Sequence, residues 1–173
     1  MKPPAIAVVG AKKVGKTTTT EKLIAELTRR GYKVAAVKHI SEPDFTMDTP
    51  RKDTWRYAQA GAKTIVAMAP NEITVIEKGT TRNTVLTDLL RKCRGNDIIL
   101  IEGFKKTVAK KTSIPKIAVV TSQQEAEAAL EAYKPIIAFS GPHNPNSKRI
   151  PYADATKNPE KLADIIAKTI LKK

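Results

Sequence analysis

The sequence predicts an α/β fold in which a mostly parallel central sheet carries helices on both faces. Three observations lead there. Apolar runs of four or five residues without polar interruption, at 5–9, 98–101 and 136–139, have the composition of strands covered on both faces. Between such runs lie longer segments whose apolar residues recur at three- and four-residue spacing, as in helices with one buried stripe. The first strand also turns into the first helix through one loop, Gly10-Ala11-Lys12-Lys13-Val14-Gly15-Lys16-Thr17, whose glycine spacing is not that of an ordinary turn.

That loop matches G-x-x-x-x-G-K-[ST] in the strand–loop–helix setting the pattern requires. A phosphate chain needs several backbone N–H groups turned inward, and the first turn of a helix leaves some free. Gly10 and Gly15 allow backbone angles and a close approach that a Cβ would obstruct. Lys16 can neutralise β and γ phosphates, and the Thr17 hydroxyl can take a Mg²⁺ position, with Thr18 opening the helix behind them. The expectation is a nucleotide-phosphate site in a P-loop NTPase three-layer fold; the loop alone chooses neither the base nor the reaction.

The remaining elements follow in order. Leu23, Ile24 and Leu27 define a helix over 17–30, stopped by Gly31. Residues 33–38 form a second strand, joined to the first by a right-handed crossover. The polar connection at 39–48 then begins at the C-terminal edge of the sheet, where ligands of such folds collect. Thr49 and Pro50 predict the cap and first position of a helix carrying Trp55, Ala58 and Ala62. Strands at 64–69 and 73–77, separated by Pro70-Asn71, form either a hairpin or an antiparallel edge. A helix over 84–93 ends before Gly95. The strand ending Ile101-Glu102-Gly103 leads into a lysine-rich polar loop at 104–115. A strand at 116–120 meets a capping box of Ser122 and Glu125 that opens an Ala-rich helix. The last strand, 135–139, delivers Ser140-Gly141-Pro142-His143-Asn144 into a second polar loop, and Asn158-Pro159 starts the final helix. One domain over 1–173 with six or seven sheet strands is expected.

Composition narrows the function classes. Thirty-one Lys and Arg stand against 17 Asp and Glu, a formal charge of +14 that favours anionic ligands. The basic residues are dispersed and aromatics make up only 5%, which reads as a Lys-rich surface and not a nucleic-acid footprint. No apolar run approaches the roughly 20 residues of a membrane span. Lys2-Pro3-Pro4 carries no secretion signal, so a cytoplasmic protein is expected. Cys93 is a single cysteine on an apolar helix face and is expected as buried filler.

Acids for a metal or a hydrolytic water are Asp44, Asp48, Asp97 and Glu102. Asp97 and Glu102 are five residues apart, about 16 Å along a strand at ~3.3 Å per residue, so both cannot flank one phosphate. Parallel geometry favours Glu102 for the ligand edge and sends Asp97 to the structural end. Asp44 and Asp48 lie on the loop after the second strand, and His39 follows that strand directly. Lys105 and Lys106, just past Glu102-Gly103-Phe104, are well situated to meet a phosphorylated ligand. No Ser/His/Asp or Cys/His arrangement is visible.

In this order, the loop 10–17, Val37-Lys38-His39, the run Asp48-Thr49-Pro50-Arg51-Lys52-Asp53-Thr54-Trp55-Arg56 leading to Ala60-Gly61-Ala62, and Leu100-Ile101-Glu102-Gly103-Phe104-Lys105 resemble the MobB family. These are the adaptor proteins of molybdopterin-guanine dinucleotide synthesis. The resemblance implies a GTP-binding, weakly hydrolysing, homodimeric protein. It would assist the guanylyltransferase that joins GMP to molybdopterin in making the guanine-dinucleotide molybdenum cofactor. It implies GTP-phosphate and Mg²⁺ contacts at Gly10, Gly15, Lys16 and Thr17. It further implies that Lys38, His39, Asp48, Lys52, Asp53, Glu102 and Lys105 surround the nucleotide or the pterin, with Asp48 and Glu102 as metal or catalytic acids. The chain departs from the family pattern in having no second histidine in Ile40-Ser41-Glu42-Pro43, and Arg51 where a glycine is usual. No Asn-Lys-x-Asp guanine reader is present, so GTP over ATP rests on the resemblance. A small-molecule kinase using the same loop, and a basic nucleic-acid binder, are the rival classes.

Overall fold

A computed structural model describes residues 3–79, 81 and 84–171 of the chain; Lys2, part of the expectation about a secretion signal, lies outside them. The chain forms two compact units, Met1–His39 with Leu86–Lys173, and Ile40–Val85. In chain order the elements are β1 (Ala5–Val9), α1 (Lys16–Arg29), β2 (Val34–Lys38), α2 (Asp53–Gln59), β3 (Thr64–Ala69), β4 (Glu72–Glu77), α3 (Leu86–Lys92), β5 (Ile98–Glu102), α4 (Lys105–Val108), β6 (Lys116–Val119), α5 (Gln123–Ala132), β7 (Ile136–Ser140) and α6 (Pro159–Ile170).

The larger unit is built on a five-stranded parallel sheet in the order β2-β5-β1-β6-β7. Successive strand residues point to opposite faces, so a doubly covered strand must be apolar throughout. Ala5, Ala7 and Val9 of β1 join Ile99 and Ile101 of β5 on one face, against Leu86, Leu90, Val108, Ala126 and Ala129 from α3, α4 and α5. Ile6, Ile98, Leu100 and Ile117 occupy the other face, against Leu23 and Leu27 of α1 and Leu162 and Ile166 of α6. The two outer helices are clasped by Arg30, which donates to Glu26 at 2.6 Å and to Asp164 at 2.7 Å. Hydrogen bonds from Arg29 and Arg30 hold the Glu26 carboxyl down at about 2. Its contribution to stability is therefore present at neutral pH and is lost as pH falls toward that value.

The fold departs from the sequence-based expectation in three places. The sheet has five strands, not six or seven, because β3 and β4 pair only with each other as a separate antiparallel hairpin. The helix expected from Thr49-Pro50 begins at Asp53 instead: Lys52 N donates back to Thr49 O and Arg51 takes a left-handed φ of 73°, forming a turn that breaks helical continuity. The lysine-rich stretch after Glu102 contains the short helix α4, since Val108 and Ile114 are buried among the lysines and anchor it. Cys93 is partly buried and unpaired by disulfide, with its thiol pushed up by burial, as expected of filler.

Lys116 was legible only as the first residue of a strand. It is fully buried, and its Nζ donates to the carbonyls of Lys111 at 2.8 Å and Lys134 at 2.6 Å. Burial lowers its ammonium from 10.5 to about 8. The unfolded chain keeps that proton up to its own higher pKa, so the unfolded state binds more protons in the window between and stability rises with pH there. Lys116→Met is expected to flatten that rise in a series of thermal unfolding curves. It also strands two carbonyls, at a cost of about 1–3 kcal/mol at neutral pH. A variant that keeps the wild-type pH profile would contradict this account.

The smaller unit contains α2 and the hairpin. Cross-strand pairs Val66–Val75 and Met68–Ile73 share one face of the hairpin, and all four side chains are exposed, Met68 at 84%. Ile65 is the one buried apolar side chain among the described residues of this unit. No helix among the described residues is long and apolar enough to cross a membrane.

Candidate phosphate-binding site

The loop between β1 and α1 adopts the conformation its residue types require. Gly10 has φ 147°, and a Cβ there would lie 2.4 Å from the carbonyl oxygen of Val119. Gly15 is the N-cap of α1 in the left-handed region, with φ 94°. Lys13 is also left-handed at φ 63°, so the loop curls back over itself between the two glycines. Val14 is buried against Val8 and Val119, which pins the middle of the loop to the sheet. The Lys16 ammonium arches over the loop and donates to the carbonyl of Ala11. Ala11, Lys12, Lys13 and Thr18 are exposed around it.

Beside the loop, parallel registration does the assembling. Val8 of β1 aligns with Glu102 of β5, and Glu102 aligns with Lys38 of β2. Two strand ends therefore deliver Glu102 and Lys38 to the edge where the first turn of α1 presents Thr17. The Thr17 hydroxyl donates to Glu102 Oε1 at 2.8 Å, and Lys38 Nζ lies 3.4 Å from both the carboxylate and the hydroxyl. His39 follows directly: its N–H donates to the Glu102 carbonyl at 2.9 Å, and its ring meets Phe104 edge-on at 5.1 Å. Burial, then the neighbouring Lys105 and Lys38 ammoniums, hold Lys16 below the usual lysine range, against the opposing pull of Glu102 and Glu125. A bound anion would reverse that shift, which marks a site poised for negative charge.

Glu102 thus stands at the C-terminal end of β5, beside the loop. Asp97 stands at the opposite end of β5, where its carboxylate accepts from Lys33 N at 2.7 Å. Gly10, Gly15, Lys16, Thr17, Lys38, His39, Glu102 and Lys105 are gathered at one edge of the larger unit. Asp48, Lys52 and Asp53 belong to the smaller unit. There Asp48 Oδ1 accepts from Thr49 N at 3.0 Å and Thr54 Oγ1 at 2.8 Å, while its Oδ2 is buried without a partner. Lys52 occupies the N-cap position of α2 without a side-chain capping bond, and Asp53 makes an exposed pair with Arg56 at 3.4 Å, which contributes little.

The sequence did not reveal that Glu125 reaches this neighbourhood. Its carboxylate accepts from Thr121 N and Oγ1 at 2.7 and 2.9 Å, one residue before the N-cap Ser122, and its charge is felt at Lys16. A cavity of about 390 Å³ lies between α1 and β2, walled by Ile24, Ala25, Ala36 and Leu100, and shares Thr17, Lys38 and Glu102 with the polar trio. Its walls are apolar and offer an anion no partner beyond that polar trio. Among the described residues no group of three or more His, Cys, Asp or Glu is arranged to hold a metal. The donor set of one hydroxyl and one carboxylate instead suits Mg²⁺, which retains waters and shares phosphate oxygens.

Comparison with known proteins gives a consistent picture. The family described as molybdopterin guanine dinucleotide synthesis protein B matches over residues 5–141. The molybdopterin-guanine dinucleotide biosynthesis adapter protein of Haemophilus influenzae is 34% identical over 116 residues, covering 66% of this chain and 61% of that protein. The chain thus spans about three fifths of that relative's length. The probable adapter protein of Bacillus subtilis is 31% identical over 130 residues, covering 72% of this chain and 69% of its own length. A crystal structure of molybdopterin-guanine biosynthesis protein B superposes with TM-score 0.72 over 97% of this chain and 99% of its own, at 22% identity. A Bacillus subtilis MobB structure superposes with TM-score 0.72 over 98% and 99%, at 23% identity, so the likeness in fold outruns the likeness in sequence.

Proposed function

The chain belongs to the MobB family, the molybdopterin guanine dinucleotide synthesis proteins B, and on that premise we propose that it is a GTP-binding adaptor for the attachment of GMP to molybdopterin. The observation that carries this reading is the Thr17–Glu102–Lys38 trio beside the phosphate loop. Backbone amides of residues 10–17 and the Lys16 ammonium hold the phosphate chain of GTP, with phosphate oxygens replacing the Ala11 carbonyl as the partner of Lys16. The Thr17 hydroxyl and Glu102 would hold Mg²⁺, which would supply charge neutralisation for the phosphate chain. Lys38 and Lys105 add positive charge at the same edge and draw in anionic ligands.

Hydrolysis is slow in this reading. Glu102 is engaged by Thr17 and Lys38 and so acts as a metal-side group, not as a free base for water. A nucleotide or pterin role for Asp48, Lys52 and Asp53 rests on the family resemblance alone; within the smaller unit Asp48 Oδ2 is buried without a partner. The protein works in the cytoplasm as a homodimer beside its guanylyltransferase. The hairpin face of Val66, Met68, Ile73 and Val75 supports self-association, because a unit with so little buried apolar area gains most by covering it with a second copy.

Calorimetric titration with GTP and ATP, each with and without Mg²⁺, tests the reading. The wild-type protein should prefer GTP and bind it more tightly with Mg²⁺. Glu102→Gln should lose most of the Mg²⁺-dependent gain, about tenfold, while keeping metal-free binding. Sedimentation of the same sample should read a mass twice that of the chain. A preference for ATP, with phosphate transferred to a metabolite, would instead make it a kinase.

A further inference from the structure

The cavity between α1 and β2 follows from the place of β2 in the sheet. β2 is an edge strand, paired with β5 alone, and α1 packs on the face that Ile98 and Leu100 of β5 present. Alternate strand residues share a face, so Ala36 and Lys38 lie under α1 beside their register partners Leu100 and Glu102. The helix contributes Thr17, Glu21 and Ile24 from one stripe, with Ala25 next to it. From Thr17 to Ile24 the trough runs about 10 Å along the helix at ~1.5 Å per residue. It ends where Val34 packs into the cluster of Leu23 and Leu27. Its side is open, because Ala25 and Ala36 are small and exposed. All of these residues belong to the larger unit.

A mere packing defect would be apolar at both ends. This trough has aliphatic walls through its depth and meets charge at its upper end, in the Thr17–Glu102–Lys38 trio. Glu21 adds a carboxylate one turn along α1 from Thr17. It is exposed and makes no hydrogen bond or ion pair with any described residue. The volume of about 390 Å³ falls in the range of small-molecule sites. Walls on two opposite sides, Ile24 and Ala25 from the helix and Ala36 and Leu100 from the sheet, make a slot for a flat ring.

We propose that this trough seats the second ligand of the proposed function, a flat fused heterocycle with an amino–oxo edge and an anionic arm, which is the chemistry of a pterin. This rests on the phosphate-loop reading above: that reading commits the nucleotide to residues 10–17 and leaves the pterin without a seat. The ring lies between the helix and sheet walls. The adjacent N–H donors of its amino–oxo edge match the two oxygens of the Glu21 carboxylate, and the Lys38 ammonium meets the anionic arm. Thr17 and Glu102 border both sites, so the two ligands approach each other at the trio.

Carboxypterin is a fluorescent probe that carries both the ring edge and an anionic arm. It is titrated into wild type, Ala36→Leu, Ala25→Leu and Glu21→Gln, beside calorimetric titration of each with GTP and Mg²⁺. The leucine variants fill the slot from opposite walls and are expected to weaken the probe by about tenfold or more. GTP should bind both as tightly as wild type, which also reports an intact fold. Glu21→Gln keeps the shape and removes the charge, and should weaken the probe by about tenfold. Guanosine, which has an amino–oxo edge and no anionic arm, should compete poorly. The proposal is overturned if both leucine variants bind the probe as wild type does, or if guanosine competes as well as carboxypterin itself. A wild-type protein that binds GTP and not the probe overturns this proposal alone. One that binds no GTP overturns the phosphate-loop reading, and the assignment of the trough with it.

Discussion

Replacing Lys16 with alanine is expected to lower GTP affinity by roughly 30- to 1000-fold, a loss of about 2–4 kcal/mol. The size follows from what the ammonium does. In the free protein its one side-chain hydrogen bond goes to the Ala11 carbonyl, and burial and two neighbouring lysines hold its pKa down. A triphosphate in the loop would give that cation charged partners where it now has a neutral one, and charge-assisted bonds are about twice as strong as neutral ones. The loss should shrink as salt rises, because the loop is open to solvent and surface charges are screened. Lys16→Arg should not restore affinity, since a planar fork cannot follow the path of an ammonium curled over a tight loop. Thermal unfolding without nucleotide should barely move, as no core contact depends on this side chain. Calorimetry decides the matter: GTP binding of equal strength in Lys16→Ala and wild type would remove the phosphate site from this loop.

Gly10→Ala is expected to cost about 3 kcal/mol or more in stability, read as a drop in Tm of roughly 6–12 °C. Two penalties coincide at this position. The backbone φ of 147° lies outside the range L side chains tolerate, and the new methyl would sit 2.4 Å from a carbonyl oxygen in the next strand. That oxygen belongs to Val119 in β6, which is paired on both sides, so neither partner can yield. Gly15→Ala makes the informative contrast. It has a left-handed φ of 94° but nothing within 4 Å of the new methyl. Its cost is the conformational term alone, about 1–2 kcal/mol. Equal losses in the two variants would mean that backbone angle, not the approach of β6, dictates glycine at position 10.

Several features of this architecture were legible because they are written locally. Strand β1, the loop and helix α1 followed from an uninterrupted apolar run, a glycine spacing and a three-and-four periodicity, each readable within one short window. Ser122 caps its helix as expected, its Oγ accepting from Glu125 N at 3.2 Å, while the Glu125 carboxylate turns to Thr121 N instead of Ser122 N. Asp97 and Glu102 were correctly assigned to opposite ends of β5 because strand geometry converts sequence distance directly into length. The Thr49-Pro50 signal misled, since Arg51 takes a left-handed conformation that no propensity at that position announces. The hairpin was recognised as a pair of strands, but adjacency in sequence carried no information on whether the pair joins the main sheet.

The sequence by itself determined the elements of the larger unit, the phosphate loop between two of them, and the family to which the chain was compared. These depend on local pattern: which residues tolerate a turn, cap a helix or suit a doubly buried strand. Only the tertiary structure decided that Lys38 would stand beside Glu102 and Thr17, that Glu125 would be felt at Lys16, and that Lys116 would be buried on two carbonyls. Each of those facts is a matter of strand order and register between segments far apart in the chain. Hydrophobic burial fixes which residues go inside, but it is nearly indifferent to which strand lies next to which, and that choice sets the neighbours of every polar group at the edge.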